Sequence, residues 1–191
     1  MSDIELLREI ILKNSILSEI VKAAKKLEIK NYYIGTECIA QTVWNYLSNN
    51  DLMYGIYDID FLYFDDSDLT EKSEQVLSEK INEAFSNIGI NFNIKNEARA
   101  HLCNEKNFEY NIKAYKSLEE AIESLPTTAT AIGIRGEEGQ VKVYAPFGLE
   151  DLFNKIVRVN KKQVNKDIYY IKVNKWVQTW TDLVIVPWDA L

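Results

Sequence analysis

Apolar residues recur at helical spacing from the start of the chain, where Ile4, Leu7 and Ile11 follow the S-x-x-E capping-box form of Ser2-Asp3-Ile4-Glu5. A first helix is expected to run to about Lys13. Asn14-Ser15 can end it and cap a second helix, in which Ile16, Ile20, Ala23, Ala24 and Leu27 share one face and Lys22, Lys25 and Lys26 the other. The two predict a helical hairpin packed on the rest of the domain.

The next segment changes period. Asn31-Tyr32-Tyr33-Ile34 is short, aromatic and β-branched and stops at Gly35-Thr36, the pattern of a strand ending in a tight turn. Ile39, Val43, Trp44 and Leu47 then return to helical spacing, closed by Asn49-Asn50. Ile56 to Phe64 reads as a buried strand with Asp58 and Asp60 on one face. A turn at Asp65 to Ser67 leads to a helix capped by Asp68 and carrying Val76, Leu77, Ile81, Ala84 and Phe85. A strand over Ile90 to Ile94 precedes a polar stretch containing Asn96, Glu97, Arg99 and His101. Ser117 opens a helix that must stop before Pro126. Thr127 to Ile134 and Gln140 to Ala145 predict a hairpin around Gly136 to Gly139, and two last helices are expected over Leu149 to about Val157 and Lys166 to about Trp180.

Composition fits this plan. At 191 residues, with 47% hydrophobic and 27% charged residues, the chain suits a single domain that buries roughly 70% of its unfolded surface. We expect residues 1–28 to form the N-terminal helices, 29–145 the core and 146–191 the C-terminal helices. No basic region followed by an apolar run opens the sequence and charges interrupt every apolar stretch, so neither a signal peptide nor a membrane span is expected. Cys38 and Cys103 have no zinc-site spacing, and reduced thiols of a cytoplasmic protein are the expectation. A formal charge of −7 disfavours nonspecific nucleic-acid binding. The local exception is a basic group, Lys155, Arg158, Lys161, Lys162, Lys166 and Lys172, which reads as a solvated face or as a rim for an anionic substrate.

Candidate chemistry centres on Asp58-Ile59-Asp60. Residues i and i+2 of a strand point to the same side, which sets two carboxylates roughly 6 to 7 Å apart at the backbone. Keeping both ionised in a partly buried site is unfavourable unless a cation neutralises them, and hard oxygen donors suit Mg²⁺ or Mn²⁺. The alternative is a pair of solvated strand-end acids. Asp65 to Asp68 lacks the glycine and terminal glutamate of a calcium loop and reads as turn and cap. Gly35-Thr36, at a strand-to-helix junction, would present backbone N–H groups and the positive helix end to a phosphate.

Four blocks carry a family resemblance: Tyr33-Ile34-Gly35-Thr36 with Thr42-Val43-Trp44; Tyr57 to Asp65 with Asp68-Leu69; Asn96 to His101; and Ala145 to Phe153. In this order they resemble a bacterial nucleotidyltransferase-like family of unknown substrate, within the DNA polymerase beta-like superfamily. The resemblance implies an α/β (α+β) fold, a mixed β-sheet flanked by helices, with the N-terminal helical hairpin as an addition. It implies metal held by Asp58 and Asp60 as catalytic acids, an NTP substrate near Gly35, Thr36, Lys95, Arg99 and His101, and transfer of an NMP group to an acceptor. The third carboxylate expected from the following strand is missing, since Phe92-Asn93-Ile94-Lys95-Asn96 has no acid; Glu97 is the nearest substitute. Ala40, Gln41 and Asn45 also replace the Arg, Asn and Asp expected in the family. A catalytically weak or inactive nucleotide-binding or protein-interaction relative is therefore the alternative. Arg99 can pair with a phosphate or with Glu97, and His101 can bind ligand or serve the structure. Ala145 to Phe153 and the Val173, Trp176, Val177, Trp180 stripe read as core.

Overall fold

The computed structural model describes residues 1–102 and 112–190; Cys103 lies outside them. The capping box forms as its residues dictate: Ser2 accepts from the Glu5 amide while the Glu5 side chain accepts from the Ser2 amide, opening α1 (Asp3–Lys13). Asn14 then turns the chain. Its Oδ1 accepts from the Leu17 amide at 3.1 Å, and its Nδ2 donates to Thr42 Oγ1 at 3.2 Å, fixing the start of α2 (Ser15–Ala24) to the next helix.

Beyond the hairpin come β1 (Tyr32–Gly35), α3 (Glu37–Leu47), β2 (Asp58–Tyr63), α4 (Glu71–Ala84) and β3 (Asn91–Asn96). They are followed by α5 (Leu118–Glu123), β4 (Gly133–Glu137), β5 (Gln140–Tyr144) and α6 (Glu150–Phe153), then β6 (Ile156–Val157), α7 (Lys166–Thr179) and β7 (Val184–Ile185). The five-stranded sheet has the order β3-β2-β1-β4-β5. Only β2 and β3 pair in parallel, so the sheet is mixed, as expected. The strands β6 and β7 form a separate parallel pair.

Alternation along β2 sorts its side chains. Ile59, Phe61 and Tyr63 enter the main core, with Tyr32 stacked on Phe61 at 5.1 Å between ring centroids. Leu62 points the other way, into a small cluster with Tyr33, Leu118 and Ile122. Asp58 and Asp60 share the Leu62 side, beyond the reach of that cluster.

The last helix is held by indole packing. Trp44 is fully buried between Trp176 and Trp180, at centroid distances of 5.8 and 5.6 Å in edge-on geometry. Such contacts add about 1 kcal/mol each beyond the area they bury. Trp180 Nε1 donates to Asn45 Oδ1 at 2.8 Å, and Asn45 Nδ2 donates to the Tyr54 carbonyl at 2.8 Å. Asn45 is therefore a buried clamp, and Trp176 and Trp180 are core.

Three local expectations are corrected. The helix expected over Leu149 to Val157 ends after Phe153, because Lys155 takes φ +54° and Ile156–Val157 pairs with Val184–Ile185. Thr128 to Thr130 form a turn instead of strand, and Thr127, bridged to Val159, accepts from the Thr130 amide through Oγ1 at 3.3 Å. Thr70, not Asp68, caps α4, accepting from the Ser73 amide; Asp68 instead accepts from the Thr70 amide and hydroxyl. No described helix is long and apolar enough to cross a membrane.

Gly35 has a packing reason to lack a side chain. It lies opposite Gly133 in the β1–β4 register, and a Cβ there would fall 2.7 Å from the Ile132 carbonyl oxygen, a backbone atom with little room to move. Gly35→Ala is expected to cost about 1 to 3 kcal/mol of stability by overpacking. Urea unfolding should show a lower midpoint with an unchanged slope.

Candidate active site

Sheet register brings the two acids to the start of α3. Asp60 stands opposite Gly35 on β1 and opposite Asn93 on β3, while Asp58 stands opposite Asn91. The Gly35–Thr36 peptide is cis, and Thr36 precedes the first helical residue without capping it. Its hydroxyl instead donates to Asp60 Oδ2 at 3.2 Å. The first-turn amides of a helix have no intrahelical acceptors, and the Thr36 side chain takes none of them.

The neighbouring strand supplies donors and no acid. Asn93 Nδ2 donates to Asp58 Oδ2, and Lys95 Nζ donates to Asp60 Oδ1 at 2.8 Å. Burial acts against the Lys95 charge, but Asp60 outweighs it by charge and hydrogen bond and raises the ammonium pKa overall. Among the described residues no group of three or more His, Cys, Asp and Glu side chains could hold a metal ion.

The opposite wall comes from α7. Lys172 Nζ and Trp176 Nε1 donate to the two oxygens of Glu37, at 2.5 and 2.9 Å. Burial would raise the Glu37 pKa, yet Lys172 and the Trp176 bond offset it and hold the carboxyl below its usual range. A cleft of about 310 Å³ results, with Asp58, Asp60, Asn93 and Lys95 on one side, Thr36 to Cys38 at its base, and Lys172 and Lys175 across from them. Cys38 donates its thiol to the Gly35 carbonyl; burial and the nearby acids keep it protonated.

Of the residues singled out from the sequence, Asp58, Asp60, Thr36 and Lys95 meet in this cleft, with Gly35 behind them. Arg99 does not line it. Its guanidinium pairs with Glu74 at 2.6 Å and donates to the Leu69 carbonyl at 2.9 Å, while Glu74 also accepts from the Asn96 amide, so this group ties the end of β3 to α4. His101 is also outside the cleft lining, and its buried Nδ1 has no hydrogen-bond partner among the described residues. Ala40, Gln41 and Asn45 are buried inside α3.

Glu37, Asn93 and Lys175 were not anticipated as cleft residues. The basic group seen in the sequence is dispersed: Lys155 pairs with Asp182, Arg158 with Asp151, Lys162 with Glu123 and Lys166 with Asp189. Lys161 lies over the Trp188 ring, and only Lys172 of that group reaches the cleft. A larger depression of about 700 Å³, at the far end of β1 and β2, contains none of the paired acids.

Comparison with known proteins follows the same line. A family model described as nucleotidyltransferase matches residues 22–185. A solved NMR structure described as revealing a CCA-adding enzyme head domain superposes with a TM-score of 0.78 at 23% identity, over 95% of this chain and 94% of that one. This likeness concerns the fold. No curated protein sequence matches the chain.

Glu97, just after β3, is a sensitive point near this site. Burial pushes its carboxyl from the usual 4.5 up to about 7, with Lys95 opposing the shift and Asp60 and Glu74 adding to it. A carboxyl with a raised folded-state pKa favours the folded state at low pH and loses that advantage as pH rises from about 4.5 to about 7. Glu97→Gln should leave stability at pH 4.5 unchanged and increase it at pH 8 by on the order of 2 kcal/mol. Urea unfolding at the two pH values measures the difference.

Proposed function

The chain belongs to a nucleotidyltransferase family, and from that membership we propose that it moves an NMP group from an NTP to an acceptor, with Asp58 and Asp60 holding Mg²⁺ or Mn²⁺. The observation that carries this reading is the shared cleft: two carboxylates on one strand face, the open end of α3, and lysines on the facing helix.

The donor set fits a divalent ion. Asp58 and Asp60 offer hard oxygens from one face of β2, held in place by Asn93, Thr36 and Lys95. Bound metal would draw an acceptor hydroxyl toward the α-phosphate and offset charge on departing pyrophosphate. The chain's own groups do the positioning. Thr36 and Asn93 orient the carboxylates, the α3 amides and Lys95 face the phosphates, and Lys172 and Lys175 give the far wall a complementary charge. We assign Arg99 to support of the β3 end through Glu74, and leave His101 as a candidate contact for ligand. The −7 charge supports the absence of nonspecific nucleic-acid binding, and the buried free thiol of Cys38 supports a cytoplasmic setting.

A second reading has its own observation. Asn93 stands opposite Asp60 where a further acid would complete the ligand set, which favours a relative that binds nucleotide with little or no transfer. Pyrophosphate release separates the two: steady metal-dependent release from an NTP requires transfer or hydrolysis, whereas binding alone yields none.

The test of the site is thermal unfolding with and without millimolar Mn²⁺ and a nonhydrolysable NTP. The wild-type chain should gain a few degrees, since ligand at 100 times its Kd adds about 2.7 kcal/mol. The double variant Asp58→Asn, Asp60→Asn should lose this gain while keeping its ligand-free melting temperature within a degree or two or rising slightly. No gain in the wild-type chain would refute the proposal.

A further inference from the structure

We propose that Lys95 is a resident counter-ion of the Asp58–Asp60 pair, which competes with free divalent metal and yields to a metal–polyphosphate complex, so that metal and polyphosphate bind interdependently. This rests on the metal reading of the two acids given above.

The hydrogen-bond arrangement supplies the argument. Lys95 lies on the edge strand β3, two positions beyond Asn93, and its ammonium occupies Asp60 Oδ1 at 2.8 Å. Thr36 takes Asp60 Oδ2 and Asn93 takes Asp58 Oδ2, which leaves Asp58 Oδ1 as the one oxygen of the pair without a hydrogen-bond partner among the described residues. With Lys95 in place two negative charges carry one positive charge, and an incoming dication must either displace the ammonium or bind beside it. Either course weakens capture of bare metal.

Displacement is mechanically easy. The Lys95 side chain is 53% exposed, and a lysine stem rotates freely at a sheet edge. Lys172, by contrast, is fixed by Glu37 beside Trp176. An ammonium that leaves Asp60 needs another anion close by. Phosphate oxygens arriving with the metal provide one, so the polyphosphate makes the exchange favourable and each ligand strengthens the other.

Mn²⁺ binding followed by electron paramagnetic resonance tests this on the full chain, using Mn²⁺ alone and Mn²⁺ with inorganic tripolyphosphate. Lys95→Met should bind Mn²⁺ alone about tenfold more tightly than wild type, and tripolyphosphate should increase Mn²⁺ affinity much less in this variant than in wild type. Lys95→Arg, which keeps the charge, should resemble wild type in both measurements, and equal melting temperatures show that all three chains are folded. Unchanged or weaker Mn²⁺ binding by Lys95→Met, undiminished coupling, or an Arg variant that behaves like the Met variant would overturn the proposal. If no chain binds Mn²⁺ under either condition, the metal reading itself fails, and the role of Lys95 falls with it.

Discussion

A strand has two faces, and on β2 that constraint decides where the chemistry can be. Ile59, Phe61 and Tyr63 are nearly or fully buried, so their shared face is committed to the main core. A shift by one residue would drive Asp58, Asp60 and Leu62 into that core and expel three large side chains. The position of the two carboxylates is thus set by the apolar residues between and beyond them. Burial of the acids' neighbours supplies the energy, and the acids inherit a fixed orientation.

The second wall of the cleft depends on packing from a remote part of the chain. Trp176 and Trp180 close around Trp44, and the same helix delivers Lys172 to Glu37 at the first position of α3. Acid strand, helix start and basic helix are therefore one assembly. Its charge runs from carboxylates on β2 to ammonium groups on α7, with Lys95 and Glu37 as crossed partners on each side. On the proposed reading, that layout would suit a ligand carrying both a cation and phosphates.

Much of this was readable in the sequence because the signals are local. Capping at Ser2 and Ser117, the periodicity of α1 to α4 and the alternation in β2 all act within a few residues. The failures have different causes. Ile156–Val157 resembles the end of a helix until Val184–Ile185 pairs with it, and the β-branched run at Thr127 to Thr130 resembles a strand until its own hydroxyls bond the backbone. The link from Lys172 to Glu37 spans 135 residues, which no spacing rule reaches. Arg99 drew notice as a charged residue in a polar stretch, but its partner Glu74 lies on the preceding helix and draws it away from the cleft. Gly35 reads in the sequence as a turn that presents amides to a phosphate; the Ile132 carbonyl beside it is an independent demand for glycine.

The sheet order adds a last implication. Since β3 is an outer strand, Asn93 and Lys95 project from a margin of the sheet where they are exposed, while Phe92, just before them, anchors the strand on Phe85. Exchanging either polar side chain alters the charge around the acids without disturbing that anchor. On the proposed metal reading, single replacements here would retune ion preference with little effect on folding, a freedom denied to Asp60, which is hemmed in by β1 and β3 on either side.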